Sequence, residues 1–207
     1  MKKPLMYLVR HGSTTDTGIK VFRGQRDSAL DKKGFLDAHA LKEFFEKKEW
    51  DRLFCSKMTR AIQTGTIICD DQSEYQPEPI EDFKPWDVGF ITGLPKTEEN
   101  EKKMNHFIEN PDDVPEGGES LTQFRQRVWP LLAEAIQLGW EQGIPCIVVG
   151  HSSIVHTLND LMDGKHKDIA VKPGGVVEIY FEDGEILHRP IYKASKEDDS
   201  SFSGTHS

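Results

Sequence analysis

Two short apolar runs, "LMYLV" (Leu5 to Val9) and "IPCIVV" (Ile144 to Val149), each break off into a glycine–histidine pair. The first continues as Arg10-His11-Gly12 and the second as Gly150-His151. A short apolar run closed by glycine reads as a strand buried on both faces. Such a strand needs helices on both sides, which restricts the chain to α/β architectures with a mostly parallel sheet. In open sheets of that kind ligands bind beyond the carboxyl ends of the strands. His11 and His151 both stand at such ends. Placing them across one crevice requires the two strands to be neighbours, which the sequence alone leaves as an assumption.

The intervening segments alternate accordingly. Asp31 can cap a helix running to about Lys48, with Phe35, Ala38, Leu41, Phe44 and Phe45 on one stripe. "DRLFCS" (Asp51 to Ser56) is a second strand, and Ser56 has the chemistry of an N-cap for a helix through Cys69. A third strand follows near Ile80. The charged, Pro- and Asn-punctuated stretch from Leu94 to Glu116 holds one short helix, around Glu99 to Ile108. Ser120 and Gln123 have capping-box spacing and start a helix to about Trp140, with a kink expected at Pro130. Another helix runs from about Ser152 to Met162, and "GVVEIYF" and "EILHR" form a hairpin turning at Asp183-Gly184. The expected architecture is a three-layer α/β/α sandwich around a mostly parallel central sheet. It comprises one domain, residues 1–194, with a short insertion at about 94–116 and a polar, disordered tail at 195–207.

Composition removes several function classes. With 207 residues the chain fits one domain with a substantial core. Its net charge of −9 argues against a broad nucleic-acid footprint, though not against a local anion pocket. The stretch from Lys20 to Lys33 is locally basic, with Lys20, Arg23, Arg26, Lys32 and Lys33. No apolar run approaches the roughly 18 residues of a membrane span. The start is too short for a signal peptide, so a cytoplasmic location is expected. Cys55, Cys69 and Cys146 are far apart in apolar surroundings and read as buried free thiols, not as a zinc or disulfide framework.

Arg10, His11, Arg60 and His151 suit one chemistry. A phosphoryl group presents charged oxygens that the planar, permanently charged arginine fork grips well. A neutral imidazole nitrogen can attack phosphorus and form a phosphohistidine, dividing one hard step into two. A second, protonated histidine can stabilise the transferring oxygens, and backbone N–H groups at the helix after His151 can assist. The scheme requires neither metal nor organic cofactor. Its partner is a phosphorylated small molecule.

The motifs also resemble a known family. "LVRHGST" resembles the signature of the histidine phosphatase superfamily, the phosphoglycerate mutase-like fold. "FCSKMTRAIQTGTII", "GGES" and "IVVGHSSIVHTL" continue the resemblance in family order, to about Tyr180. Carried over by position, the resemblance implies that His11 becomes phosphorylated and that Arg10, Arg60 and His151 form the phosphate pocket. It further implies that Ser152 supplies a backbone donor and that Thr17 stands where many relatives have asparagine. Gln25 and Arg26 fall at the rim. Pro85 occupies the place of the acid glutamate of many relatives, and Ser152 that of the aspartate of the acid-phosphatase branch. Asp87 is then the best substitute acid, followed by Glu81 and Asp82. The short covering segment favours a phosphatase over a mutase. A serine-hydrolase elbow in "GHSSI" fails because Ile154 stands where that motif needs glycine. A phosphate-binding regulatory protein without catalysis is the remaining alternative.

Overall fold

The computed structural model describes residues 2–70, 75–162 and 171–193. The elements are β1 (Lys3–Arg10), α1 (Lys32–Phe45), β2 (Leu53–Ser56), α2 (Thr59–Cys69), β3 (Glu78–Ile80), α3 (Glu98–Glu109), α4 (Leu121–Gln142), β4 (Cys146–Gly150), α5 (Ser152–Leu161), β5 (Val176–Glu182) and β6 (Glu185–Tyr192). Single 3-10 turns lie at Glu81–Phe83 and Gly89–Ile91. The tail expected at 195–207 lies outside the described residues.

One six-stranded sheet has the order β3-β2-β4-β1-β5-β6. The first four strands are parallel, and the closing hairpin adds β5 antiparallel to β1 and β6 antiparallel to β5. Leu5–Val9 of β1 and the whole of β4 are apolar because both their faces are covered. Leu8 and Val148 enter one core with Phe124, Val128 and Leu132 of α4 and Ile154 and Leu158 of α5. Tyr7, Val9, Ile147 and Val149 point the other way, against Leu41 and Phe45 of α1 and Ala61 and Ile68 of α2. That alternation is the period-2 geometry of a strand, so each residue of β1 chooses its layer by parity. The three-layer α/β/α arrangement is as expected. Cys55, Cys69 and Cys146 are buried free thiols, and burial pushes Cys55 and Cys146 up to about 12.

Three local expectations need adjustment. Asp31 caps α1, its carboxylate accepting the Gly34 N–H, but the helix stops at Phe45, short of Lys48. Ser56 is not the N-cap of α2. Met58 holds that position, and Ser56 remains in the strand because its hydroxyl is used elsewhere. Helix α4 includes Pro130 and ends at Gln142, two residues beyond Trp140, where Gly143 closes it with a φ of 77°. The Ser120–Gln123 capping box is present, with both reciprocal hydrogen bonds made. Among the described residues no helix is long and apolar enough to cross a membrane.

Ser120 therefore satisfies an N–H at the start of the longest helix. Ser120→Ala is expected to cost about 1 kcal/mol, the typical worth of such a cap. The check is a lowered urea midpoint with an unchanged m-value.

Candidate active site

Strands β1 and β4 pair in parallel with Arg10 opposite Gly150, so their carboxyl ends finish together. The His11 N–H donates to the Gly150 carbonyl at 3.1 Å, tying the two ends. The imidazoles of His11 and His151 consequently meet edge to face, with ring centroids 5.2 Å apart. The neighbour relation assumed from sequence thus holds. Gly12 follows because the start of α1 presses against this turn. A Cβ on Gly12 would lie 2.6 Å from the Gly34 carbonyl oxygen, and one on Gly34 would lie 1.9 Å from that of Ser13.

Hydrogen bonds define which nitrogen of His11 can react. Its Nδ1 lies 2.7 Å from the Gly12 carbonyl, which can only accept, so Nδ1 carries the proton. Nε2 then holds the lone pair, and Arg60 Nε donates to it at 3.1 Å. Burial, reinforced by the charges of Arg60, Arg10 and Arg23, holds His11 well below its ordinary 6.5. His11 is neutral at ordinary pH for these two reasons together. A phosphoryl group arriving at Nε2 would compete for the same Arg60 N–H groups.

His151 is the N-cap of α5 without a side-chain cap bond, and it lies 2.8 Å from Ser56 through Nε2. The Ser56 hydroxyl also accepts the Met58 N–H at 3.3 Å. With Ser56 donating its own proton to His151 Nε2, the His151 proton sits on Nδ1, a buried atom with no hydrogen-bond partner. Arg10 Nε is likewise buried and unpartnered, while Arg10 Nη1 is anchored at 2.8 Å on the Val171 carbonyl. An unpaired buried donor costs about 1–3 kcal/mol, so two in one site point to an acceptor that both serve. An anionic oxygen fits. Burial and the neighbouring His11, Arg60, Arg10 and Arg127 hold His151 well below its ordinary 6.5.

A cleft of about 530 Å³ opens over these groups. Arg10, His11, Arg60, His151 and Ser152 all line it, with Lys20, Arg23, Pro85, Trp86, Lys96 and Met104 among the others. Burial lowers both Arg10 and Arg60 to about 10, still charged at neutral pH. Ser152 opens the ten-residue helix α5, whose N-terminal dipole adds to the positive field.

The structure does not bring the other candidates to the cleft. Thr17 accepts the Thr14 N–H at 2.8 Å and is exposed outside the lining. Asp87 accepts the Gly89 N–H at 3.1 Å, so its carboxylate caps its own loop instead of reaching the cleft. Glu81 pairs on the surface with Lys57 and Lys84, and Asp82 is exposed. Gln25 donates to the Pro85 carbonyl at 3.1 Å, and Arg26 is held by Asp16 at 3.4 Å. Asp27 reaches Arg60 at 3.6 Å from outside the lining. No carboxylate among the described residues lines the cleft.

Sequence reading missed three contributors. Ser56 was masked by its resemblance to a helix cap. Lys96 lies in a stretch that reads as a plain charged insertion. Glu119, within "GGES", accepts Arg127 in a two-pronged pair at 2.6 and 2.8 Å, and Arg127 also holds the Lys84 and Pro85 carbonyls. Glu119 further accepts the Asp87 N–H at 3.0 Å, while its carbonyl accepts Trp86 Nε1 at 2.9 Å. This brace fixes the loop that forms one wall of the cleft.

In this α/β sandwich two imidazoles at adjoining strand ends stand beside the guanidinium groups of Arg10 and of Arg60 on α2, an arrangement whose chemistry suits a phosphoryl group. The chain belongs to the histidine phosphatase superfamily (branch 1), whose family profile it matches over residues 6–189. It is 30% identical over 175 residues to a 2,3-bisphosphoglycerate-dependent phosphoglycerate mutase of Mesorhizobium japonicum, covering 81% of this chain and 85% of that one. Its fold is similar to that of a mycobacterial glucosyl-3-phosphoglycerate phosphatase solved with VO3, with a TM-score of 0.73 and 19% identity over 92% of this chain and 98% of the other. It is also similar to the alpha-ribazole phosphatase of Shigella flexneri, with a TM-score of 0.72 and 18% identity over 96% of this chain and all (100%) of that one.

Ser56→Ala should release the His151 tautomer and weaken vanadate binding about tenfold, near the worth of one buried hydrogen bond. Unchanged vanadate affinity would show that Ser56 does not set His151. A pH effect follows as well. Both imidazoles are held below 6.5, so beneath that pH the unfolded chain binds more protons than the folded one. Stability present above pH 6.5 is therefore lost as the pH falls. His11→Gln should make that decline shallower between pH 6.5 and about 5, measured by urea unfolding.

Proposed function

We propose that this chain hydrolyses phosphomonoesters through a phosphohistidine on His11, without a metal ion. The observation that carries the reading is a neutral His11 Nε2 set among buried, cationic or unpaired donors. Nε2 attacks phosphorus in line with the leaving oxygen. Arg10, Arg60, the His151 Nδ1–H and the α5 N-terminus hold the three remaining oxygens as charge redistributes. The leaving oxygen departs with the P–O electron pair and takes a proton from solvent; water then attacks the phosphohistidine, returning the N–P electron pair to Nε2 and releasing phosphate and a proton. The guanidinium groups supply the charge neutralisation that other phosphoryl-transfer enzymes take from Mg²⁺.

A mutase is the second reading, and two observations favour it. The curated relatives at 27–30% identity are named phosphoglycerate mutases. Lys20, Arg23 and Lys96 also give the cleft more positive charge than the reacting phosphate requires. Hydrolysis is preferred because the segment that would cover the phosphohistidine is slight. Helix α3 has no buried residue, and only Lys96 and Met104 from this segment line the cleft. Water therefore has ready access as acceptor.

An aryl phosphate with a low-pKa leaving group, assayed with a chelator present, tests the proposal. The wild type should turn over and His11→Ala should lose at least about 10³-fold, the scale on which nucleophilic and acid–base residues act. Equal turnover by His11→Ala would falsify the assignment, and a wild type that binds vanadate without turnover would make the chain a binding protein. Arg60→Ala should weaken vanadate at least tenfold, as expected for loss of a charged hydrogen-bond donor worth about 1.5–3 kcal/mol.

A further inference from the structure

The cleft combines two features that ordinary alkyl phosphate hydrolysis does not explain. No carboxylate among the described residues lines it, and Pro85 and Asp87 both withhold an acid from the leaving oxygen. Cations beyond the phosphate pocket line it instead. Lys20 and Lys96 sit on paired segments, with the Lys96 N–H donating to the Lys20 carbonyl at 2.8 Å and a bridge between Val21 and Pro95. Both side chains are exposed, and neither forms an ion pair with a carboxylate among the described residues. The Lys96 ammonium instead lies 5.3 Å from the centre of the Phe22 ring. Half-buried Arg23 is oriented by the Asp16 carbonyl at 3.0 Å, and its charge is felt by Arg10, His11 and Arg60.

An alkoxide is a poor leaving group and needs a proton from an acid as it departs. A phosphate leaving group needs none, because it is a stable anion. What it needs is positive charge at the place where its own charge increases. Lys20, Arg23 and Lys96 offer that charge in the same cleft that Pro85 lines without an acid. Resting on the phosphohistidine reading above, we infer that the preferred substrate is a phosphoanhydride whose terminal phosphoryl group is transferred to His11. The leaving group is the adjoining phosphate, received by Lys20, Arg23 and Lys96. The reaction balances without a general acid. The Nε2–P bond forms and the bridging P–O bond breaks, with its electron pair staying on the departing phosphate. Water oxygen then bonds to phosphorus, the N–P pair returns to Nε2, and one proton passes to solvent.

The test compares four substrates in chelator: inorganic pyrophosphate, a nucleoside diphosphate, an aryl phosphate and glycerol phosphate. The expected order of kcat/KM places one or both anhydrides at least tenfold above the aryl phosphate, and glycerol phosphate at least 10³-fold below it. Pyrophosphate against nucleoside diphosphate then shows whether the remainder is inorganic or organic. The Lys20→Gln/Lys96→Gln double variant, altered only at exposed positions, should reduce anhydride kcat/KM at least tenfold more than aryl phosphate kcat/KM. Glycerol phosphate cleaved as fast as the aryl phosphate would reveal an acid and overturn the inference. So would anhydrides turned over no faster than the aryl phosphate, or equal losses in the double variant. In each of these cases His11-dependent aryl phosphate turnover would leave the phosphohistidine reading standing, whereas its absence would remove that reading itself.

Discussion

The pairing of Arg10 with Gly150 across neighbouring parallel strands governs everything at this site. It ends β1 and β4 at one level, so that the next residue of each strand, His11 and His151, meets the other in the same small volume. The register is secured by what surrounds it. Leu8 and Val148 face one helical layer, while Val9 and Val149 face the other. A slip by one residue would turn each of these strands inside out, which the two apolar cores oppose. The positioning of the chemistry is thus a by-product of burying the sheet.

The same burial sets the electrostatics. Arg10, Arg60 and two imidazoles are brought close together away from water, an arrangement that is unfavourable unless some groups give up their charge. The guanidinium groups keep theirs because their intrinsic pKa is so high. The imidazoles yield, and both are neutral. A cluster of permanent cations beside a neutral histidine is thus self-consistent. The arginines give the site a positive field, and with burial their repulsion disfavours protonation of His11. The Gly12 carbonyl then selects Nε2 as the atom that carries it.

The fold was largely legible because its signals are local: apolar strands with glycine ends, the Asp31 cap and the Ser120–Gln123 box. That Arg10, His11, Arg60 and His151 come together at one cleft was legible for a related reason, since they sit at strand ends or on the motif helix. Legibility failed where a side chain's partner is distant in sequence. Ser56 has the identity of a helix cap, yet its hydroxyl serves His151, 95 residues away. Asp87 is close enough along the chain to replace an acid at position 85, but the Gly89 N–H claims its carboxylate. Lys96 enters the cleft because Pro95 pairs with Val21, a bridge that no periodicity announces.

The loop around Pro85 makes the missing acid more than a gap. Arg127 holds the Lys84 and Pro85 carbonyls, Glu119 holds Arg127 and the Asp87 N–H, and Gln25 binds the Pro85 carbonyl from the other side. A backbone held by so many charge-assisted bonds is suited to presenting a side chain at a fixed place. Yet the side chain presented is a pyrrolidine ring, which can neither donate nor accept a proton. Had the loop merely lost its function, nothing would require its brace to remain intact. A rigid, apolar wall has a use of its own, because it shapes this side of the cleft without competing for the cations that line the same space. On the phosphohistidine reading, a cleft lined by no carboxylate among the described residues leaves the stability of the departing group to take the place of a protein acid.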